Sequence, residues 1–146
     1  MNSLVYLDNC SFNRPFDDQL QPLIKLETEA KLLIQMEVLA GNVDLVWSFI
    51  LDYENTKNPF HDKRLQIALW EAKATVVIAP NPDILLYAES IMQLGIKKKD
   101  ALHVSCAIAA KADYFITTDK KLLNKNVNDI ILINPMEFAG RHFYVN

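Results

Sequence analysis

Leu4-Val5-Tyr6-Leu7-Asp8 decides the fold: four apolar residues run directly into an acid. A short, unbroken apolar run reads as a strand buried on both faces, the mark of a parallel sheet. The pattern returns at Tyr114-Phe115-Ile116-Thr117, closed by Thr118 and Asp119. In open parallel sheets ligands gather outside the carboxyl ends of the strands. Two strands ending in Asp therefore place Asp8 and Asp119 on one edge. Each acid also has a plain structural reading, Asp8 as a turn or cap and Asp119 as the N-cap of a helix over Lys120 to Asn124.

Between these strands the chain alternates apolar runs with helical patterns. Asp18 and Gln21 have capping-box spacing, and a long helix with Pro22 in its first turn runs to Gly41. Leu45-Val46-Trp47 is a second strand, with Ser48 placed to cap the next helix. Asn58-Pro59 breaks that helix, and another follows from Phe60 to Ala72. Thr75 to Ile78 is a β-branched strand stopped by Pro80, and Asn81-Pro82-Asp83 supplies cap, rigid first position and dipole-matched acid. That helix ends at Gly95. A further helix spans Lys99 to Ala110, and Ile130 to Ile133 is the last strand. Strands alternating with helices predict a three-layer α/β/α sandwich on a mainly parallel central sheet, with residues 1–146 as a single domain.

Composition narrows the function classes. Over 146 residues, 51% are hydrophobic and only 3 are Gly, which fits a helix-rich globular chain and leaves no Gly-rich phosphate loop. The 2 cysteines, Cys10 and Cys106, form no CxxC pair, so neither a disulfide framework nor a zinc site is expected. No apolar run reaches membrane-spanning length and no targeting segment is visible, so the expected location is cytoplasmic. The net charge of −3 is unevenly spread: residues 97–125 hold 7 Lys against 3 Asp, a local excess of +4. Such a segment attracts phosphates, although a solvated lysine face is the plainer reading.

Two more acids stand out. Glu54 shares a helix face with Ile50 and Leu51, and a carboxylate on an apolar stripe needs a cation or donor as partner; Asp52 points away, toward solvent. Asp100 opens the apolar helix Ala101-Leu102-His103-Val104, where the helix dipole alone would favour it. His103, one turn on, reads as a satisfied core histidine. Trp47, Trp70, Phe60 and Tyr87 have the spacing of core residues rather than of a base-stacking surface. If Asp8, Glu54, Asp100 and Asp119 converge, mutual repulsion is relieved by a hard divalent cation, and all-oxygen ligands select Mg²⁺ or Mn²⁺ over zinc.

Taken in order, Tyr6-Leu7-Asp8-Asn9, Ser48 with Glu54, Asp100-Ala101-Leu102-His103 and Thr117-Thr118-Asp119 resemble the PIN-domain family of metal-dependent ribonucleases, which includes VapC-like toxins. The resemblance covers almost the whole chain. It implies a Mg²⁺- or Mn²⁺-dependent endoribonuclease in which Asp8, Glu54, Asp100 and Asp119 are both catalytic residues and metal ligands. It also implies single-stranded RNA as substrate, an antitoxin protein as partner, and a homodimer. Ser48 and Thr118 are then placed to support the site through hydrogen bonds. Many members read Asp-Thr-Asn after the first strand, where this chain has Asp8-Asn9-Cys10. The alternative is a catalytically silent PIN-like module that binds RNA or protein. A haloacid-dehalogenase-type phosphatase would need an Asp where Cys10 stands.

Overall fold

The strand built from the opening apolar run has no solvent face. In the computed structural model, which describes residues 1–143, β1 (Ser3–Leu7) is the middle strand of five, with Val5, Tyr6 and Leu7 wholly buried. Its companions are β2 (Val43–Ser48), β3 (Val76–Ile78), β4 (Tyr114–Ile116) and β5 (Ile131–Ile133). All pair in parallel in the order β3-β2-β1-β4-β5, with Tyr6 in register with Val46 on one side and Phe115 on the other.

Eight helices connect and cover the strands among the described residues: α1 (Asn9–Asn13), α2 (Pro22–Leu39), α3 (Phe49–Thr56), α4 (His61–Ala68), α5 (Pro82–Met92), α6 (Lys98–Ala109), α7 (Lys120–Leu123) and α8 (Pro135–Phe143). From β1 the chain steps outward to β2 and β3, then crosses back to β4 on the far side of β1. The reversal of strand order falls between β1 and β4, and right-handed crossovers send the two sets of helices to opposite faces. α2 packs on β2 and α8, whereas α5 packs on α6, and α6 on β2 and β4. The α/β sandwich expected from the sequence is present, and its sheet is wholly parallel.

Several local expectations change. Asp18 and Gln21 do not form a capping box: Asp18 Oδ1 accepts from Leu20 N at 3.0 Å, and Gln21 makes no side-chain cap. The short turn satisfies the carboxylate locally, and Pro22 at the first helical position has no N–H to cap. Between Asp8 and α2 the chain forms the short helix α1 and then a 3-10 turn over Arg14–Phe16. The predicted Phe60–Ala72 helix divides into α4 and a 3-10 turn over Leu69–Lys73. Asp52 is exposed yet accepts from the Trp47 indole at 2.9 Å. Trp47 is buried and Trp70 packs on the core, but Phe60 is 58% and Tyr87 37% exposed, so these two are not core residues. The tail from Phe138 packs as α8 on α2; Tyr144 lies outside the described residues. No helix among the described residues is long and apolar enough to cross a membrane.

Candidate active site at the carboxyl ends of β1 and β4

The strand-order reversal falls between β1 and β4, and an acid follows the carboxyl end of each strand, Asp8 after β1 and Asp119 after β4. Asp8 leaves β1 with an extended backbone and caps α1. Ser11 N donates to its Oδ1 at 2.9 Å and Thr117 Oγ1 to its Oδ2 at 2.5 Å. The side chain is 3% exposed, and burial raises its pKa despite those two donors. Asp119, beyond β4, caps α7 by accepting from Lys121 N at 2.9 Å and Leu122 N at 3.3 Å. The structural and functional readings of both acids are therefore compatible: each caps a helix and each stands at the sheet edge.

Glu54 projects from α3, whose first turn is capped by Ser48. The partner its apolar stripe calls for is His103 on α6, whose Nε2 meets Glu54 Oε1. The other ring nitrogen bonds the Tyr6 hydroxyl at 2.5 Å, which also bonds Ser48 Oγ at 2.6 Å. A carboxylate only accepts, so Nε2 donates to Glu54. Burial alone would raise the Glu54 pKa. The hydrogen bond and charge of His103, the Lys99 ammonium and a hydrogen bond from Asn9 outweigh it and hold the group below its ordinary value. The chain Ser48–Tyr6–His103–Glu54 thus ties β1, α3 and α6 together.

Asp100 lies three residues before His103 on α6 and makes no side-chain hydrogen bond among the described residues. Burial, then the negative charges of Asp119 and Glu54, raise its pKa against the opposing pull of His103 and Lys97. Cys10 reports the same field. Its thiol is pushed up to about 12 by desolvation and by Asp8, Asp100, Asp119 and Glu54 together. All four carboxylates predicted from the sequence act electrostatically on Cys10. Among the described residues, however, no three His, Cys, Asp or Glu side chains meet closely enough to hold a metal ion. The donor set is all carboxylate oxygen, and Asp119 and Glu54 set negative charge against Asp100. Both suit a hard cation, while Asp8, Asp119 and Glu54 turn oxygens toward their protein partners.

The expected supporting threonine is one residue off. Thr117, not Thr118, reaches Asp8, because β4 ends at Ile116 and Thr117 is the first side chain beyond it. Thr118 is buried with no side-chain hydrogen bond among the described residues, and Ser48 serves Tyr6 and the α3 cap rather than an acid directly. Tyr6 was legible only as a strand residue. An aromatic hydroxyl inside an all-apolar run is the signal that it needed an internal partner.

Two solved structures share this architecture. A chain of VapBC2 from Rickettsia felis, a complex bound to a DNA fragment from their promoter, aligns with a TM-score of 0.55 at 19% identity, over 90% of this chain and 98% of that one. A chain of VapBC-1 from nontypeable Haemophilus influenzae aligns with a TM-score of 0.55 at 20% identity over the same shares. The fold is PIN-like. At these identities the likeness is one of fold, and it spans nearly the whole of the PIN-like chains compared. No family model and no curated protein matches the sequence.

Proposed function

We propose that this chain is a PIN-type, metal-dependent endoribonuclease that hydrolyses phosphodiester bonds of single-stranded RNA, and that it is the toxin of a toxin–antitoxin pair. The observation that carries the reading is the placement of Asp8 and Asp119 at the strand-order reversal, with Asp100 and Glu54 acting on the same locus. The basic segment around α6 and α7 supports a polyanionic substrate. The shared fold with chains of VapBC complexes supports an antitoxin partner.

In this reading Asp8, Asp100 and Asp119 hold Mg²⁺ or Mn²⁺, and Glu54 completes the set or orients the attacking water. The bound ion supplies a lowered pKa for water and offsets charge on the phosphate oxygens. Ser11 and Thr117 fix the Asp8 carboxylate at the carboxyl end of β1. His103 holds Glu54 ionised, leaving that carboxylate ready to accept a proton from water. Incubating end-labelled single-stranded RNA with the protein and Mn²⁺ tests the proposal. Cleavage that EDTA stops, and that Asp8→Asn removes without changing the far-UV spectrum, is the expected result. An undiminished rate in Asp8→Asn rejects the assignment.

A second reading has its own observation. Because Asp8, Asp119 and Glu54 already have protein partners and, among the described residues, no three acids reach ligating distance, a silent PIN-like RNA- or protein-binding module fits these side chains as they stand. RNA binding with no cleavage under any divalent ion would favour it.

A further inference from the structure

A groove of about 440 Å³ opens from Glu54 and runs away from the other acids toward the loop joining α3 and α4. Its walls carry Phe16, Phe60, Lys57, Lys63 and Lys99. Phe60 keeps 58% of its surface exposed, although the sequence pattern predicts a core residue there. The Lys63 ammonium lies 4.2 Å from the Phe60 ring centroid and 5.3 Å from that of Phe16, so one cation is shared between two rings. None of the three lysines is in a salt bridge among the described residues, and the nearby Asp17 is engaged by Arg14 at 2.9 Å. On the other side of the carboxylates, a smaller cleft of about 60 Å³ joins Asp100 and Asp119 to Lys97, Lys121 and Lys125 and contains no aromatic residue.

The acids thus sit between two basic channels, of which only one has exposed rings. Lysines along a channel attract a phosphate backbone. An aromatic ring left in water beside them is a platform on which a nucleobase stacks, and stacking tolerates any base. We propose that the Phe16–Phe60–Lys63 groove is a nucleobase subsite: a base flanking the scissile phosphodiester of single-stranded RNA stacks on Phe60, while Lys57 and Lys63 neutralise its phosphates. Beyond the carboxylates the strand meets Lys97, Lys121 and Lys125 at the surface, with no ring among them, so a base is held on one side of the cut and backbone alone on the other. The choice of RNA as ligand rests on the ribonuclease reading above.

The test is equilibrium binding of a fluorescein-labelled single-stranded RNA octamer to the full chain in EDTA, where no cleavage occurs, followed by cleavage kinetics in Mn²⁺. Phe60→Ala is expected to weaken binding about 10-fold, with Phe60→Trp restoring it. Lys63→Gln is expected to flatten the slope of log affinity against log salt by about 0.7. An octamer lacking one base should lose affinity for the wild type but bind Phe60→Ala as the intact octamer does. The exposed Phe60 ring makes no cap contact by its side chain, so these variants should keep the wild-type melting temperature. Unchanged RNA affinity in both Phe60→Ala and Lys63→Gln overturns the subsite, as does wild-type protein that binds duplex and single strand alike. RNA binding that depends on Phe60 in a chain that never cleaves would uphold the subsite and defeat the nuclease. Cleavage indifferent to Phe60 and Lys63 would do the reverse.

Discussion

Lys31 offers a sharp test of how α2 supports the site. Its side chain lies on the inner face of α2, 4% exposed, with Nζ 5.4 Å from the ring of Phe12 on α1, the helix that Asp8 caps. No salt bridge or side-chain hydrogen bond reaches it among the described residues, and desolvation pushes its pKa from 10.5 down to about 7. Below pH 7 the ammonium is charged in both folded and unfolded chains, so folding bears the full burial cost. At about 1.4 kcal/mol per pH unit over that gap, the cost is about 5 kcal/mol, of which contact with the Phe12 ring returns about 1 kcal/mol. Between pH 7 and 10.5 the unfolded chain binds the extra proton, so stability rises with pH. Lys31→Met keeps the length and removes the charge. It is expected to stabilise the protein by about 4 kcal/mol at pH 6 and by about 2 kcal/mol at pH 9, where the folded lysine is already neutral. Urea unfolding of both proteins at pH 6, 7, 8 and 9, read as the difference in midpoint at constant slope, measures this. The difference cancels the other groups that titrate in the window. An equal difference at pH 6 and pH 9, or destabilisation by methionine throughout, would refute a desolvated, unpartnered lysine.

The remaining predictions concern the acids. His103→Leu removes the donor that holds Glu54 and should cost about 1.5–3 kcal/mol near neutral pH. The depressed Glu54 pKa means that this stabilisation is lost in the wild type as pH falls through the folded-state value, so the two proteins should converge in acid. RNA cleavage by His103→Leu should show its acid limb at higher pH, with His103→Gln restoring part of the shift; an unmoved limb would separate His103 from Glu54. Asp119→Asn should keep the α7 cap and unfold within about 0.5 kcal/mol of wild type, whereas Asp119→Ala loses about 1 kcal/mol more. Both should abolish cleavage, and activity that tracks stability instead would make Asp119 a cap alone. Asp100→Asn relieves like-charge repulsion and should raise the melting temperature of the metal-free protein while removing cleavage, as expected where function costs stability. A lowered melting temperature would mean that Asp100 is held by a cation the site does not otherwise show.

Much of this was legible in the residues. Val5, Tyr6 and Leu7 form a buried central strand because an unbroken apolar run fits only where both sheet faces are covered. Ser48, Asn81 and Asp119 cap helices as their side-chain chemistry dictates, each accepting from a backbone N–H in the first turn. The four acids were picked out from where strands end and helix faces turn apolar, and the negative charges of Asp119 and Glu54 act on Asp100. What stayed hidden depends on long-range placement. Strand order is not encoded in any local period, so the β1–β4 adjacency that joins Asp8 to Thr117 had to be seen. Thr118 was implied by the resemblance; β4 stops at Ile116, and because one residue at a strand end reverses the direction of the side chain, it is Thr117 that reaches Asp8. Phe60 follows Pro59 in a connection between helices, where spacing says nothing about burial, and its exposed ring has a functional reading only beside Lys63.

The central claim is that Asp8, Glu54, Asp100 and Asp119 form a seat for a hard divalent cation. Isothermal titration of the metal-free protein with Mn²⁺, in parallel with Asp8→Asn and Asp100→Asn, tests it without reference to any substrate. Saturable binding to the wild type, with a matching rise in melting temperature and loss of both in the two variants, is the predicted outcome. No binding to the wild type, or equal binding by the variants, would contradict the account.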